Sequence, residues 1–209
     1  MAVQPVIFLV DDDAGIRDFI RVLLDFAGFP IIKTYESSRR FLQEAALQDG
    51  DCVLLDLHMP ELNGLEVQRE LNRRGKRLGV IMVTGHADVP TAVKAMQAGA
   101  ADFIEKPFSN DALIASVHRA LALNQASTDL AKSEDVRRRV ETLTAREREV
   151  FERIMQGWPN KTVARDLKIS QRTVEMHRAR IMAKMQAQNL ANLIRMAIDA
   201  GIPLGLGRK

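Results

Sequence analysis

VIFLVDDD, residues 6–13, is the stretch on which the fold turns. Five apolar residues run without interruption into three carboxylates. An apolar run without polar alternation suits a strand covered on both faces, which is the situation of a parallel sheet flanked by helices. Working outward, four further β-branched or apolar runs lie at 31–35, 52–55, 80–83 and 102–104. Between them, apolar residues recur at helical spacing. Ile16, Phe19, Ile20, Leu23 and Leu24 share one face; Leu65, Val67 and Leu71 mark a later helix. Val89, Ala92, Val93 and Met96 mark the next, and Leu113, Val117 and Leu121 the last. Strands alternating with helices over residues 1–124 predict an α/β fold with a five-stranded, doubly wound parallel sheet.

Residues 125–141 change character. They are polar and charged, lack Pro and Gly, and carry one thin apolar stripe at Val136 and Val140, so they read as a helical linker. Residues 142–209 are helical throughout. Thr144 with Glu147 makes a capping box ahead of Val150, Phe151 and Ile154, and Gly157 ends that helix. Asn160 is expected to cap a short helix holding Val163, Ala164 and Leu167. Ser170 is expected to cap a longer one, reaching about Met185. Asn189 precedes a last helix with Leu190, Leu193, Ile194 and Ala197, stopped by Gly201 and Pro203. Charge divides at the same place. The net formal charge of +3 hides a front half of −4 and a back half of +7, which suggests two domains with different partners, the second a polyanion.

Other classes fall away. One cysteine, Cys52, forms no internal disulfide, and no Cys/His cluster has zinc spacing. A reducing, cytoplasmic compartment is expected. No apolar run approaches the ~20 residues of a membrane helix, and the N-terminus has no basic segment of a signal peptide.

In an open α/β sheet, ligands gather at the carboxyl ends of the strands. Strand one ends in Asp11, Asp12 and Asp13, strand three in Asp56, and strand four in Thr84 followed by Gly85. Strand five ends just before Lys106-Pro107. Clustered carboxylates need a counter-charge, and Mg²⁺ (or Mn²⁺), hard and oxygen-seeking, is the natural one. Asp11, Asp12 and Asp56 supply oxygens, with the backbone carbonyl of His58 nearby. A neutralised Asp56 is a nucleophile for a phosphoryl group. Thr84 and Lys106 are placed to bind phosphoryl oxygens, and Gly85 leaves room.

DDD at 11–13, LLDLHMP at 54–60, TGHADV at 84–89 and EKPF at 105–108 resemble the receiver domain of bacterial response regulators, a CheY/flavodoxin-like fold. The resemblance implies Asp56 as phosphoacceptor, Asp11 and Asp12 as metal ligands, and Thr84 as a switch hydroxyl. It also implies Phe103 as a switch aromatic, Lys106 as the phosphate partner, and a cis Lys106–Pro107 bond. Asp13 reads as a helix cap and His58 as a rim side chain.

The helices of the second half, from Thr144 to Ala200, suggest a helix-turn-helix with an additional helix on each side. On the helix from Ser170 to Met185, Val174, Ile181 and Met185 face inward. Arg172, Glu175, Met176, Ala179 and Ala183 form a second stripe, suited to a groove floor. Thr173, Arg178, Arg180 and Lys184, with Lys161 across the turn, are expected to contact phosphates. Glu175 belongs beside DNA only as an acceptor for a cytosine amine or as an orienter of an Arg. LTAREREV, then GWPNKTVARDLKISQRTVEMHRARIMAKM, resembles the LuxR/NarL-type DNA-binding domain, especially its FixJ-like members. In that setting His177 reads as a buried, hydrogen-bonded residue, and Trp158 as packing on the first helix of the domain.

Together the resemblances imply a cytoplasmic bacterial transcription factor without enzyme activity. They imply a sensor histidine kinase that phosphorylates Asp56, and dimerisation through the face of the fourth helix and fifth strand, with Val89, Val93 and Met96 expected near the contact. The partners this implies are promoter DNA and, as a further candidate, RNA polymerase, with no role for a membrane. Haloacid-dehalogenase-like phosphatases share the strand-end Asp, Mg²⁺, Thr and Lys. They place a second Asp two residues after the nucleophile, where this chain has His58.

Overall fold

The computed structural model describes residues 4–85, 88–123 and 130–202. Within them run β1 (Ile7–Val10), α1 (Ala14–Phe26), β2 (Ile32–Tyr35), α2 (Ser38–Glu44) and β3 (Cys52–Asp56). Then come α3 (Gly64–Arg73), β4 (Gly79–Thr84), α4 (Val89–Gln97), β5 (Asp102–Glu105) and α5 (Asn110–Leu123). Five helices follow: α6 (Leu130–Glu141), α7 (Ala145–Met155), α8 (Asn160–Asp166), α9 (Gln171–Met185) and α10 (Leu190–Asp199). His86 and Ala87 of the TGHADV motif, the first residues of the linker and Pro203 lie outside the described residues. Contacts divide the chain into two units, Met1–His86 with Ala98–Ala126, and Ala87–Gln97 with Ser127–Lys209.

All strands of the first unit are parallel, in the order β2-β1-β3-β4-β5. Ile7, Leu9, Cys52, Leu54, Ile81, Val83 and Ile104 share one core with Ile20 and Leu24 of α1 and with Leu113, Val117 and Ala120 of α5. Alternation sends Phe8 the other way, where its ring lies 5.8 Å from that of Phe41 on α2. Phe19, expected inward, is 48% exposed. It sits about 100° round the helix from Ile20, at the margin of the apolar stripe, with its ring 6.4 Å from Phe108. Two buried aspartates tie elements together. Asp51 accepts from the Val6 and Gln48 amides at 2.8 and 2.7 Å, fixing the starts of β1 and β3. Asp102 accepts from Ser116 Oγ at 2.8 Å and from Arg119, holding β5 to α5 beside Phe103.

In the second unit, three of the expected caps form. Thr144 and Glu147 complete a capping box on α7. Ser170 accepts from the Thr173 amide at 3.0 Å, and Asn189 from the Asn192 amide at 2.7 Å. Asn160 departs from expectation: Pro159 occupies the cap position of α8, and no side chain caps it. With its backbone nitrogen inside the helix, Asn160 accepts instead through its side-chain Oδ1 from Arg178 Nη1 of α9, at 2.8 Å. Lys168, at φ 54°, turns the chain from α8 to α9. Val150, Phe151, Ile154, Val163, Val174, Ile181, Leu193 and Ile194 are buried, with α7 and α8 packed on α9. On α4, Val93 and Met96 are buried and Val89 is half-buried. Among the described residues no helix is long and apolar enough to cross a membrane.

Candidate phosphoacceptor site and DNA-facing helix

β1 delivers Asp11, and the turn behind it makes Asp13 the cap of α1, accepting from the Ile16 amide at 3.1 Å. β3 delivers Asp56 and β4 delivers Thr84, which is fully buried. Lys106 follows β5, with its amide bonded to the Thr84 carbonyl at 2.7 Å and a cis peptide bond to Pro107. The sheet thereby brings together residues 95 and 50 positions apart. Lys106 Nζ donates to Asp11 Oδ2 at 2.6 Å and to Asp56 Oδ1 at 2.8 Å. The second oxygen of each carboxylate is held by its own strand's turn: Asp11 Oδ1 by the Asp13 amide at 2.9 Å, Asp56 Oδ2 by the His58 amide at 2.6 Å.

Asp11 is 1% exposed and Asp56 6%. Burial pushes the Asp11 carboxyl above its usual range, and the hydrogen bond from Lys106 only partly offsets this. Burial pulls the Lys106 ammonium down, but its hydrogen bonds to the two carboxylates outweigh burial and hold it above its ordinary value. The site is a buried ionic triad, two acids on one base.

Of the three expected carboxylates, Asp11 and Asp56 share the Lys106 ammonium. Asp12 is exposed, and among the described residues no group of three or more His, Cys, Asp or Glu side chains is arranged to hold a metal. The His58 amide is bonded to Asp56 Oδ2, which brings the backbone of His58 beside the site. Two hard carboxylates nevertheless suit Mg²⁺, which takes one or two carboxylates and keeps several waters.

Sequence reading missed two supports. Arg17 Nη1 donates to the Asp11 carbonyl at 2.7 Å, steadying the end of β1 from α1. Gly64 lies so close to β3 that a Cβ there would fall 2.6 Å from the Asp56 carbonyl oxygen. The Asn63–Glu66 capping box, visible as a sequence pattern, could have marked the start of α3 there. Phe103 is buried, and so is Ile104, one on each face of the sheet.

On α9, Val174, Ile181 and Met185 are wholly buried as expected. Arg172, Glu175, Met176, Ala179, Arg180 and Ala183 are exposed, and so are Lys161 and Ser170; Thr173 is half-buried, its Oγ1 2.8 Å from Ser170 Oγ. Two expected phosphate contacts are engaged inside the unit. Arg178 braces Asn160, and burial holds its guanidinium below its ordinary value. Lys184 Nζ lies 2.6 Å from Glu147 Oε2 and 3.0 Å from the Thr142 carbonyl. Each is drawn inward by an acceptor that a neighbouring helix supplies. His177 is half-buried, and its Nδ1 has no hydrogen-bond partner among the described residues. Trp158 packs on α7, with the Arg153 guanidinium 6.0 Å from its ring centroid.

Known proteins share both patterns. Residues 7–118 match the response regulator receiver domain, and residues 141–197 match the luxR family of bacterial regulatory proteins. The transcriptional regulatory protein FixJ of Azorhizobium caulinodans is 44% identical over 198 residues, covering 94% of this chain and 93% of that protein. FixJ of Rhizobium meliloti is 42% identical over 196 residues, covering 93% and 96%. The crystal structure of full-length FixJ from B. japonicum is similar at 39% identity and a TM-score of 0.55, covering 97% of this chain and 100% of that one.

Proposed function

Because this chain belongs to the two-component response regulators that carry a LuxR-type DNA-binding domain, as a FixJ-like transcription regulator and not an enzyme, we propose that Asp56 is its phosphoacceptor and α9 its DNA-recognition helix. The observation that carries the first part is Lys106, bridging Asp11 and Asp56 at 2.6 and 2.8 Å in a buried site. Asp56 Oδ1 attacks the phosphorus of a phosphohistidine on a sensor kinase. The O–P bond forms, the P–N bond breaks, and the imidazole leaves neutral, keeping the proton already on its other ring nitrogen. Receiver domains generally use Mg²⁺ for this step. Asp11 and Asp56 would hold it here, aided by Asp12 and the His58 carbonyl, and bound there it offsets the charge of the phosphoryl oxygens. Lys106 exchanges its bond to Asp56 for one to a phosphoryl oxygen, keeping Asp11. The Thr84 hydroxyl takes another phosphoryl oxygen, and Phe103 shifts into the space Thr84 vacates.

The new charge favours an arrangement that dimerises through α4 and β5 and sets two α9 helices on adjacent half-sites. Arg172, Glu175, Met176 and Ala179 face base edges. Lys161, Ser170, Thr173 and Arg180 contact phosphates, while Arg178 and Lys184 stabilise the unit from within. We place the protein in the bacterial cytoplasm.

The test is labelling of the full chain with a small phosphodonor and Mg²⁺. One stable phosphoryl group per chain is expected, and none in Asp56→Asn. Repeated turnover of a phosphate monoester refutes the reading. So does unchanged affinity for promoter DNA in Asp56→Asn when phosphodonor is present.

A further inference from the structure

The last carbonyls of an α-helix have no partner within it. In the second unit, one helix supplies partners to two others. Arg137 of α6 donates from Nε to the carbonyl of Ala200, the C-cap residue just past α10, at 2.8 Å. Two positions on, Arg139 donates from Nη1 to the carbonyl of Met185, the last residue of α9, at 2.9 Å. The other arm of Arg139 pairs with Asp135 one turn earlier, at 2.6 Å, which orients the guanidinium. Cations at helix C-termini are also favoured by the helix dipole.

The reverse bonds exist as well. Arg148 of α7 donates to the Val140 carbonyl at 2.8 Å, and Lys184 of α9 to the Thr142 carbonyl at 3.0 Å, both at the end of α6. Val136 and Val140, the thin apolar stripe of the linker, are buried at 8% exposure each, and α6 packs on α9 and α10. Almost all of α6 precedes the luxR-family match, which begins at residue 141. A mere tether would have no reason to bury its stripe or to close the ends of two other helices.

We infer that α6 is a structural helix of the DNA-binding unit and that Arg139 is a positioning residue for recognition. By closing the C-terminal end of α9, it sets the angle at which Arg172, Glu175, Met176 and Ala179 meet the groove. This rests on the reading of α9 as the recognition helix. Arg139 itself touches no DNA.

The experiment uses the full chain with phosphodonor and a duplex selected from a random-sequence library by the unsubstituted chain. Arg139→Ala is expected to weaken binding about fivefold, as the loss of a charged cap implies. The slope of log affinity against log salt is expected to stay unchanged, because no phosphate contact is lost. Arg139→Lys, which keeps a cation at the helix end, is expected to restore most of the affinity. A slope lower by about one in Arg139→Ala overturns the inference by making Arg139 a phosphate contact, and unchanged affinity overturns it outright. A folded Arg139→Lys as weak as Arg139→Ala also overturns it. Should Arg139→Ala fail to fold, Arg139→Lys against Arg139→Gln decides: tighter binding by Lys supports it, equal binding refutes it. If the unsubstituted chain selects no duplex at all, the recognition role of α9 fails and this inference with it.

Discussion

Lys184→Ala separates two roles for one residue. A lysine on the basic side of a recognition helix is by sequence a phosphate contact. In the structure its Nζ is 2.6 Å from Glu147 Oε2. Glu147 is 3% exposed, and the same Oε2 accepts the Thr144 amide at 2.8 Å. The bond from Lys184, working with the cap bonds against burial, holds the Glu147 carboxyl at about 2. Removing the ammonium leaves a buried carboxylate with one backbone donor. Breaking a fully buried ion pair costs about 3–5 kcal/mol. Here the lysine side chain is 34% exposed, so water screens the pair, and the Thr144 amide stays in place; about 2 kcal/mol is the expected loss. For a unit of this size, each kcal/mol moves the midpoint by about 4–8 °C. Thermal unfolding followed by circular dichroism should therefore show the second unit melting about 10 °C lower. In the same variant the salt slope of DNA binding should match the unsubstituted chain. An unchanged midpoint with a slope lower by about one would refute this reasoning and restore the phosphate contact.

Glu147 also sets an acid limit. Its folded value lies below the ordinary 4.5, so its stabilisation is complete above that value and is lost as pH falls toward about 2. The advantage of the unsubstituted chain over Glu147→Gln in urea unfolding should shrink over that window, and a pH-independent difference would contradict it. Lys106→Ala leaves Asp11 and Asp56 buried without their shared cation. Labelling of Asp56 by a small phosphodonor should slow about 100-fold, and a rate within a factor of two of the unsubstituted chain would exclude the assigned role. Gly64→Ala forces a Cβ to 2.6 Å from the Asp56 carbonyl oxygen. The first unit should lose about 1–3 kcal/mol and label more slowly, whereas an unchanged denaturant midpoint would show that α3 retreats freely.

Much of the fold was legible because its signals are local. An unbroken apolar run specifies a covered strand, and a cap acts on an amide three residues away, as at Asp13, Ser170 and Asn189. The strand-end residues could be placed as well, since parallel connectivity sends every strand's carboxyl end to one edge. Where a local signal had a competitor, it failed. Asn160 has the side chain of a cap, yet Pro159 took that position and Arg178 claimed the oxygen.

Sequence alone therefore determined the parallel sheet, the helical second half, and the residues gathered at the strand ends. Tertiary structure decided how those groups are paired. The ammonium between Asp11 and Asp56 comes from 95 and 50 residues away, and Lys184 turns to a glutamate 37 residues distant. Arg137 and Arg139 close helices that begin 50 or more residues after them or end 46 residues on. A charged side chain on an amphipathic helix has the same local pattern whether it meets water, DNA or a buried acceptor. Only the packing of another element beside it supplies the partner that decides among them.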